Sequence, residues 1–371
     1  MRNDYDLQQL VEPLLAWYPL HARELPWRSE PTPYHVWVSE IMLQQTRVEA
    51  VKPYYARFIE ALPDIRALAE CEEDRLLKLW EGLGYYNRVR NMQLAAQTVM
   101  AEYGGVLPAD YAELLKLKGI GHYTAAAIAS IAYGLPAAAV DGNVLRILMR
   151  ALECDLDIAK QSTKNTVEQW LLPIVPQDRP GMFTQALMEL GATVCVPNGE
   201  PNCGACPWEK LCQSHLNDTT DRYPVKEKAK ARRIEKKTVL IIRDGDRVLL
   251  QKRPDKGLLA GMYEFPWIEG YATRKAVLEF VKQRGLSPLR IRPAGDAKHI
   301  FSHVEWHMKG YVIFVEPMEP QKEKEEQELL FVEAYDAKER YAIPTAFLAY
   351  AEYMNLEIGA EAVKNSRKEK L

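Results

Sequence analysis

Leu117-Lys118-Gly119-Ile120-Gly121-His122-Tyr123-Thr124 is the stretch on which the reading of this chain turns. Before it, residues 111–117 repeat apolar side chains at helical spacing. After it comes an uncharged, alanine-rich run, 123–140, broken by Gly134 and Pro136. Such a run suits a closely packed helix better than a membrane span. Two glycines between two helices permit positive φ and close backbone approach, and the second helix opens with free amides that can hold a phosphate. The same pattern also serves as a plain helix C-cap and turn.

Two carboxylates flank this segment in sequence. Val140-Asp-Gly-Asn-Val144 opens the next helix, where Asp141 is placed to cap it. Helix-start amides would hold that carboxyl at a lowered pKa, ionised, as suits a group facing a developing cation. Glu40 stands in Trp37-Val-Ser-Glu-Ile-Met-Leu43. A lone glutamate on a helix is ordinarily a solvated charge, but an apolar setting would raise its pKa toward that of a proton donor. As a pair they fit bond cleavage, one protonating a leaving base and the other stabilising the cation left behind.

Four of the six cysteines, Cys195, Cys203, Cys206 and Cys212, cluster near the end of the helical pattern, while Cys71 and Cys154 stand alone. The N-terminal residues 1–10 read as neither signal nor transit peptide. Without a secretion signal, thiolate ligation is favoured over disulfides. Zinc sites usually pair two Cys-x-x-Cys knuckles. Here one short pair is flanked by spacings of seven and five, an asymmetry that favours a cubane-type iron–sulfur cluster.

The 371 residues are 47% hydrophobic and 27% charged, which predicts a globular, non-membrane protein of two domains. The net charge of −3 gives no basic signature of a nucleic-acid partner, so positive charge would have to be local. Helical periodicity runs from 7 to about 216, including 36–62, 75–80, 93–103, 111–117 and 143–152. This predicts an all-α domain over 1–216, with the hairpin at about 109–134 and the cysteine loop at 195–212. Residues 217–237 read as a linker rich in basic side chains (Lys226, Lys228, Lys230, Arg232, Arg233, Lys236, Lys237), either a solvated tether or a strap for phosphates. From 238 to 371 the period changes. Thr238-Val-Leu-Ile-Ile-Arg, the turn Asp244-Gly-Asp and Arg247-Val-Leu-Leu-Gln-Lys-Arg predict a hairpin. A helix over 274–284 and strands over 297–303 and 307–315 complete an α+β domain, with 316–328 an exposed charged loop.

These elements, in this order, resemble the endonuclease III superfamily and, within it, the MutY-type adenine DNA glycosylases. The resemblance rests on Ser39-Glu-Ile-Met-Leu-Gln-Gln-Thr46, Gly82-Leu-Gly-Tyr-Tyr-Asn-Arg-Val-Arg-Asn91, Val140-Asp-Gly-Asn-Val144, Gln185-Ala-Leu-Met-Glu-Leu-Gly191 and Phe301-Ser-His303, and it covers nearly the whole chain. It implies a monofunctional glycosylase that flips adenine out of a duplex opposite 8-oxoguanine or guanine and cuts its glycosidic bond. Glu40 would match the acid that protonates adenine N7, and Asp141 the stabiliser of the sugar cation, with Tyr123 and Asn143 in support. Gln45 and Tyr85 would wedge into the base stack, although Tyr85 could equally be a core aromatic, and Thr46 and Leu83 would lie near the lesion strand. Trp27, Arg28, Leu43 and Gln185 would form the adenine pocket, Gly119 and Gly121 would hold backbone phosphate, and the four cysteines would bind a [4Fe-4S] cluster. The tail resembles the Nudix fold through Arg247-Val-Leu-Leu-Gln-Lys-Arg and Gly261-Met-Tyr-Glu-Phe-Pro. Its helix at 276–285 lacks the acidic set of Nudix hydrolases, which leaves a recognition role with Phe301, Ser302 and His303 as its tip. A monomer, cytoplasmic and nucleoid-associated, completes the expectation.

Two departures stand out. The first cysteine spacing is seven where the family has six, and Lys118 takes a place often held by proline. Two other functions compete. A lyase of the endonuclease III type would need a lysine where Tyr123 stands, and a non-catalytic iron–sulfur DNA-binding protein would have no use for both Glu40 and Asp141.

Overall fold

The computed structural model describes residues 5–227, 231–317, 329–351 and 353. The chain forms two compact units: Met1–Glu70 with Asn91–Ala229, and Cys71–Arg90 with Lys230–Leu371. The first is all-helical and the second is a mixed sheet with helices.

The helical unit is built around α1 (Val11–His21), α2 (Pro33–Leu43), α3 (Tyr111–Leu114), α4 (His122–Ala127), α5 (Gly142–Ala151), α6 (Gln161–Leu171) and α7 (Pro180–Thr193). Leu14, Leu15, Ile147, Leu148, Phe183, Leu187 and Leu190 from α1, α5 and α7 interlock in one core. Thr32 starts α2 by accepting the His35 amide at 3.2 Å, with Pro33 at the first helical position. Every residue of α2 from Val36 to Met42 is buried, so Glu40 is held among packed side chains rather than on a solvent face. The periodic stretch 36–62 is two helices rather than one. Gln45 adopts φ 58°, a left-handed conformation that a right-handed helix cannot carry through. The alanine-rich run enters α4 and continues as a π-turn over Ile128–Ala132. Among the described residues no helix is long and apolar enough to cross a membrane.

In the hairpin, Asp110 caps α3 by accepting the Glu113 amide at 2.9 Å. Gly119 takes φ +79°, and a Cβ there would lie 2.6 Å from Asn91 Cβ, so both the conformation and the space call for glycine. Gly121 is different: its backbone is extended, and it is the N-cap of α4 with no side chain to occupy the helix-start amides.

In the second unit the sheet runs β3-β2-β1-β6-β5, from β1 (Arg233–Asp244), β2 (Arg247–Lys252), β3 (Tyr263–Glu264), β5 (Pro288–Ile300) and β6 (Val304–Val315); β4 (Trp267–Glu269) pairs with β1 and β7 (Leu330–Glu333) with β2. β1 and β6 are parallel, and the other pairs are antiparallel. The apolar run in β1 is continuous because both faces are covered. Val239 and Ile241 enter a core with Phe265, Trp306 and Phe347, whereas Leu240 and Ile242 pack with Val277 and Val281 of α8 (Arg274–Gln283). Residues 71–90 are tied into this unit: Lys78 Nζ donates to the Tyr341 carbonyl at 3.1 Å, the Ile343 amide to Glu81 Oε1 at 2.7 Å, and Tyr263 OH to Asp74 Oδ2 at 2.9 Å.

The stretch read as a linker is partly built into its neighbours. Arg150 Nε donates to the carbonyls of Thr220 and Tyr223, Ile158 bonds to Val225, and β1 already begins at Arg233. Strand β5 also begins earlier than the pattern suggested. Phe301-Ser302-His303 is the turn of a long hairpin, with Ile300 opposite Glu305 and the Phe301 amide donating to the Val304 carbonyl at 2.9 Å. Residues 228–230 of the basic stretch and 318–328 of the charged loop lie outside the described residues.

Candidate active site

A cleft of about 510 Å³ opens in the helical unit, lined by residues from several helices and the loops between them. Helix α2 supplies Glu40 and Leu43, α4 supplies Tyr123, the start of α5 supplies Asp141 and Asn143, and α7 supplies Gln185 and Glu189. Trp27, Arg28, Gln45 and Thr46 line it as well. The residues that resemblance assigned to chemistry and to the adenine pocket therefore share one cavity.

Glu40 is only 5% exposed. Burial pushes its carboxyl up to about 7, the hydrogen bond from Tyr123 works in the opposite direction, and the nearby Asp141 charge adds to the rise. Tyr123 OH donates to Glu40 Oε2 and lies 3.8 Å from Met188 Sδ. Burial and the two acidic neighbours hold the phenol well above its usual range. A carboxyl titrating near 7 can carry a proton at neutral pH and release it to a base, which is what a general acid requires.

Asp141 caps α5 as anticipated, its Oδ1 accepting the Val144 amide at 2.8 Å, while Asn143 Nδ2 donates to Oδ2 at 2.8 Å. The expected lowering of its pKa is not what results. Burial in the cleft wall raises the carboxyl, outweighing the amide, Asn143 and the Arg146 charge. Asn143 is itself braced: Arg146 Nη2 donates to its Oδ1 at 2.8 Å and to the Gly191 carbonyl at 2.7 Å, and Arg146 Nε to the Cys195 carbonyl at 2.8 Å.

Sequence reasoning passed over Glu189 and Arg23. Glu189 is fully buried, and its carboxylate binds Arg23 Nε at 2.6 Å and Arg28 Nη2 at 2.7 Å. Burial alone would raise this carboxyl, yet the two guanidiniums hold it below its ordinary range. The sign was available: Glu189 follows Gln185 by four positions, which puts both on one face of α7. Lys164 of α6 also lines the cleft, whereas Lys118 is exposed on the hairpin and does not.

Leu83 and Tyr85 belong to the second unit, with Phe301, Ser302 and His303. Leu83 is buried. Tyr85 is 48% exposed, so it is not a core aromatic, and its hydroxyl is 2.7 Å from Ser302 Oγ. Gln45 and Tyr85, the two residues matched to base-stack wedges, both carry positive φ, 58° and 48°. Strained non-glycine backbone of this kind concentrates at functional sites.

All four clustered cysteines face one pocket, walled by Ile147, Leu190, Val194 and Trp208. They form no disulfide. Arg150 Nη1 approaches Cys195 Sγ at 3.2 Å, and the Trp208 amide approaches Cys206 Sγ at 3.4 Å. Donors aimed at sulfur suit thiolate ligands. The long first spacer closes on itself through the Asn202 amide to the Val194 carbonyl at 3.1 Å, turning at Gly199 with φ +83°.

Residues 38–173 match the HhH-GPD superfamily of base excision DNA repair proteins, and 238–353 match the NUDIX domain. The chain is 36% identical over 358 residues to the adenine DNA glycosylase of Mus musculus, an alignment spanning 80% of this chain and 69% of the mouse protein. It is 33% identical over 306 residues to the adenine DNA glycosylase of Buchnera aphidicola subsp. Baizongia pistaciae, spanning 81% and 85%. The chain belongs to the adenine DNA glycosylases. It is an enzyme of base excision repair that hydrolyses N-glycosyl bonds, with DNA as substrate. Among solved structures, a thermostable thymine-DNA glycosylase has a TM-score of 0.51 and 27% identity to this glycosylase, covering 57% of this chain and 97% of the other.

Proposed function

We propose that this glycosylase removes adenine paired with 8-oxoguanine or guanine by acid-assisted hydrolysis and leaves the strand uncut. The observation that carries the reading is the buried Glu40, hydrogen-bonded by Tyr123 and facing Asp141 across one cleft. A flipped adenosine in that cleft places the base against Trp27, Arg28, Leu43 and Gln185. Glu40 donates its proton to N7 of the leaving adenine, making it a neutral leaving group. The sugar cation left behind is opposed by Asp141, which Asn143 orients. Glu40, now a carboxylate, then receives a proton from the attacking water. Tyr123 stands where a lyase needs an amine, and a phenol forms no imine with the sugar.

On the DNA side, Gln45 and Tyr85 act as wedges beside Thr46 and Leu83, and the hairpin amides around Gly119 and Gly121 take backbone phosphate. Phe301, Ser302 and His303, on an exposed hairpin turn, read the 8-oxoguanine. Cys195, Cys203, Cys206 and Cys212 hold a [4Fe-4S] cluster. The four thiols line one pocket, and their asymmetric spacing in the sequence supports a cluster over zinc. When bound, the cluster supplies cross-linking of this loop to the core. The enzyme acts as a monomer in the compartment of the chromosome, cytoplasmic and nucleoid-associated.

The test is single-turnover release of adenine from duplexes carrying adenine opposite 8-oxoguanine, guanine or thymine, with strand integrity scored after mild workup. Release fastest opposite 8-oxoguanine, from intact strands, is expected. Equal release opposite thymine would overturn the specificity, and strand cutting that survives borohydride-free controls would overturn the monofunctional reading.

A further inference from the structure

The cations of the cleft differ in how far they are already committed. Arg23 and Arg28 are bound to Glu189. Lys164 lines the same cleft as Asp141, Gly142 and Asn143 and has no carboxylate partner among the described residues. Its natural partner would be Glu168, one turn along α6 and about 6 Å away along the axis. Glu168 is engaged elsewhere: Tyr111 OH donates to its Oε1 at 3.0 Å, and His122 Nδ1 lies 3.9 Å from the same oxygen. Both of those residues flank the hairpin. One face of α6 thus carries Glu168, which meets the hairpin residues, and one turn before it Lys164, which lines the cleft and is without a carboxylate partner among the described residues.

We propose that Lys164 binds the backbone phosphate flanking the extruded adenosine, continuing the phosphate path from the hairpin to the catalytic cleft. The inference rests on the reading of the cleft given above. If Asp141 faces the sugar, the phosphates bonded to that sugar lie beside it in the cleft that Lys164 also lines. Each phosphate that approaches Asp141 meets a like charge, and an unpaired cation there offsets the repulsion. A phosphate takes the ammonium as a point charge, so arginine can replace it.

The experiment is single-turnover excision on an adenine:8-oxoguanine duplex, over a range of enzyme concentrations and at several salt concentrations, with the full chain, Lys164→Ala and Lys164→Arg. Both substitutions keep a good helix former at a half-buried position, so folding is preserved. For Lys164→Ala the half-saturating concentration should rise about tenfold and the slope of log affinity against log salt should fall by about 0.9, the loss of one phosphate contact. The effect falls on half-saturation rather than on the plateau rate, and Lys164→Arg restores both quantities. An unchanged salt slope in Lys164→Ala overturns the proposal, and so does a defect confined to the plateau rate. A borohydride-trapped adduct with an abasic-site duplex, lost in both variants, would assign the amine to imine formation instead. Failure of the parent enzyme to release adenine would strike the functional reading, which keeps the two failures apart.

Discussion

At the scale of the residue, Glu40 ties stability to activity. An unperturbed glutamate titrates near 4.5, and this one at about 7, because burial disfavours the carboxylate. Between those values the folded chain binds the extra proton, so this group's contribution is fully present below pH 4.5 and is lost as pH rises to about 7. The loss is roughly 3 kcal/mol by pH 8. Glu40→Gln keeps the shape and an oxygen for the Tyr123 hydroxyl, and it never ionises. The variant is expected to have lost base excision while binding duplex nearly as well as the parent, and to be the more stable of the two at pH 8. Denaturant unfolding from pH 5 to pH 8 checks this, because the stability gap should widen with pH. A gap that is constant, or that shrinks as pH rises, would refute the assignment of the shift to Glu40. The parent's excision rate should also fall about tenfold per pH unit above 7, as the acid form is depleted. Excision by Glu40→Gln at the parental rate would end the catalytic assignment.

At the scale of the element, two glycines and a loop carry the predictions. Gly191 sits in α7, where alanine would ordinarily stabilise a helix by up to about 1 kcal/mol. Here an added Cβ would lie 2.5 Å from Asn143 Cβ. Gly191→Ala is therefore expected to destabilise the fold by roughly 1–3 kcal/mol, as overpacking does. It should also slow the plateau rate of excision, because Asn143 must leave Asp141. A variant as stable and as fast as the parent would show that the close approach does not matter. Gly119 differs: its φ of +79° and the 2.6 Å that would separate an added Cβ from Asn91 Cβ place the strain in the hairpin. Gly119→Ala should raise the half-saturating duplex concentration and leave the plateau closer to the parent's, a split opposite to that of Gly191→Ala. For the cysteine loop, anaerobically purified protein should be brown and contain iron. Stoichiometric zinc without iron would overturn the cluster. Cys206→Ser should release iron and lower the melting temperature, because the loop and the wall formed by Trp208 lose their cross-link.

At the scale of the whole molecule, the residues proposed for chemistry and those proposed for lesion reading fall in different compact units, so the two roles should separate by mutation. Replacing Ser302 and His303 by alanine together is expected to abolish the preference for 8-oxoguanine over guanine while the plateau rate on either duplex is retained. Single-turnover rates and binding on both duplexes decide it, and full retention of the preference would remove the tip from lesion reading. The sequence by itself determined the order of elements, the change from helical to strand periodicity near 238, the cap at Asp141 and the cysteine loop. These follow from local periodicity, short spacings and backbone chemistry, which act over a few residues. The complementary chemistry of two carboxyls, rather than periodicity, suggested that Glu40 and Asp141 cooperate, and resemblance added adenine N7 as the proton's destination. Only the tertiary structure decided that Glu40 is buried enough to titrate near 7, and that burial outweighs the helix-start amides at Asp141, because desolvation depends on every element packed around a group. The pairing of Glu189 with Arg23 and Arg28, the engagement of Glu168 by Tyr111 and the inclusion of residues 71–90 in the second unit are likewise long-range facts. No short window contains both partners of such contacts, and the fold alone brings them together.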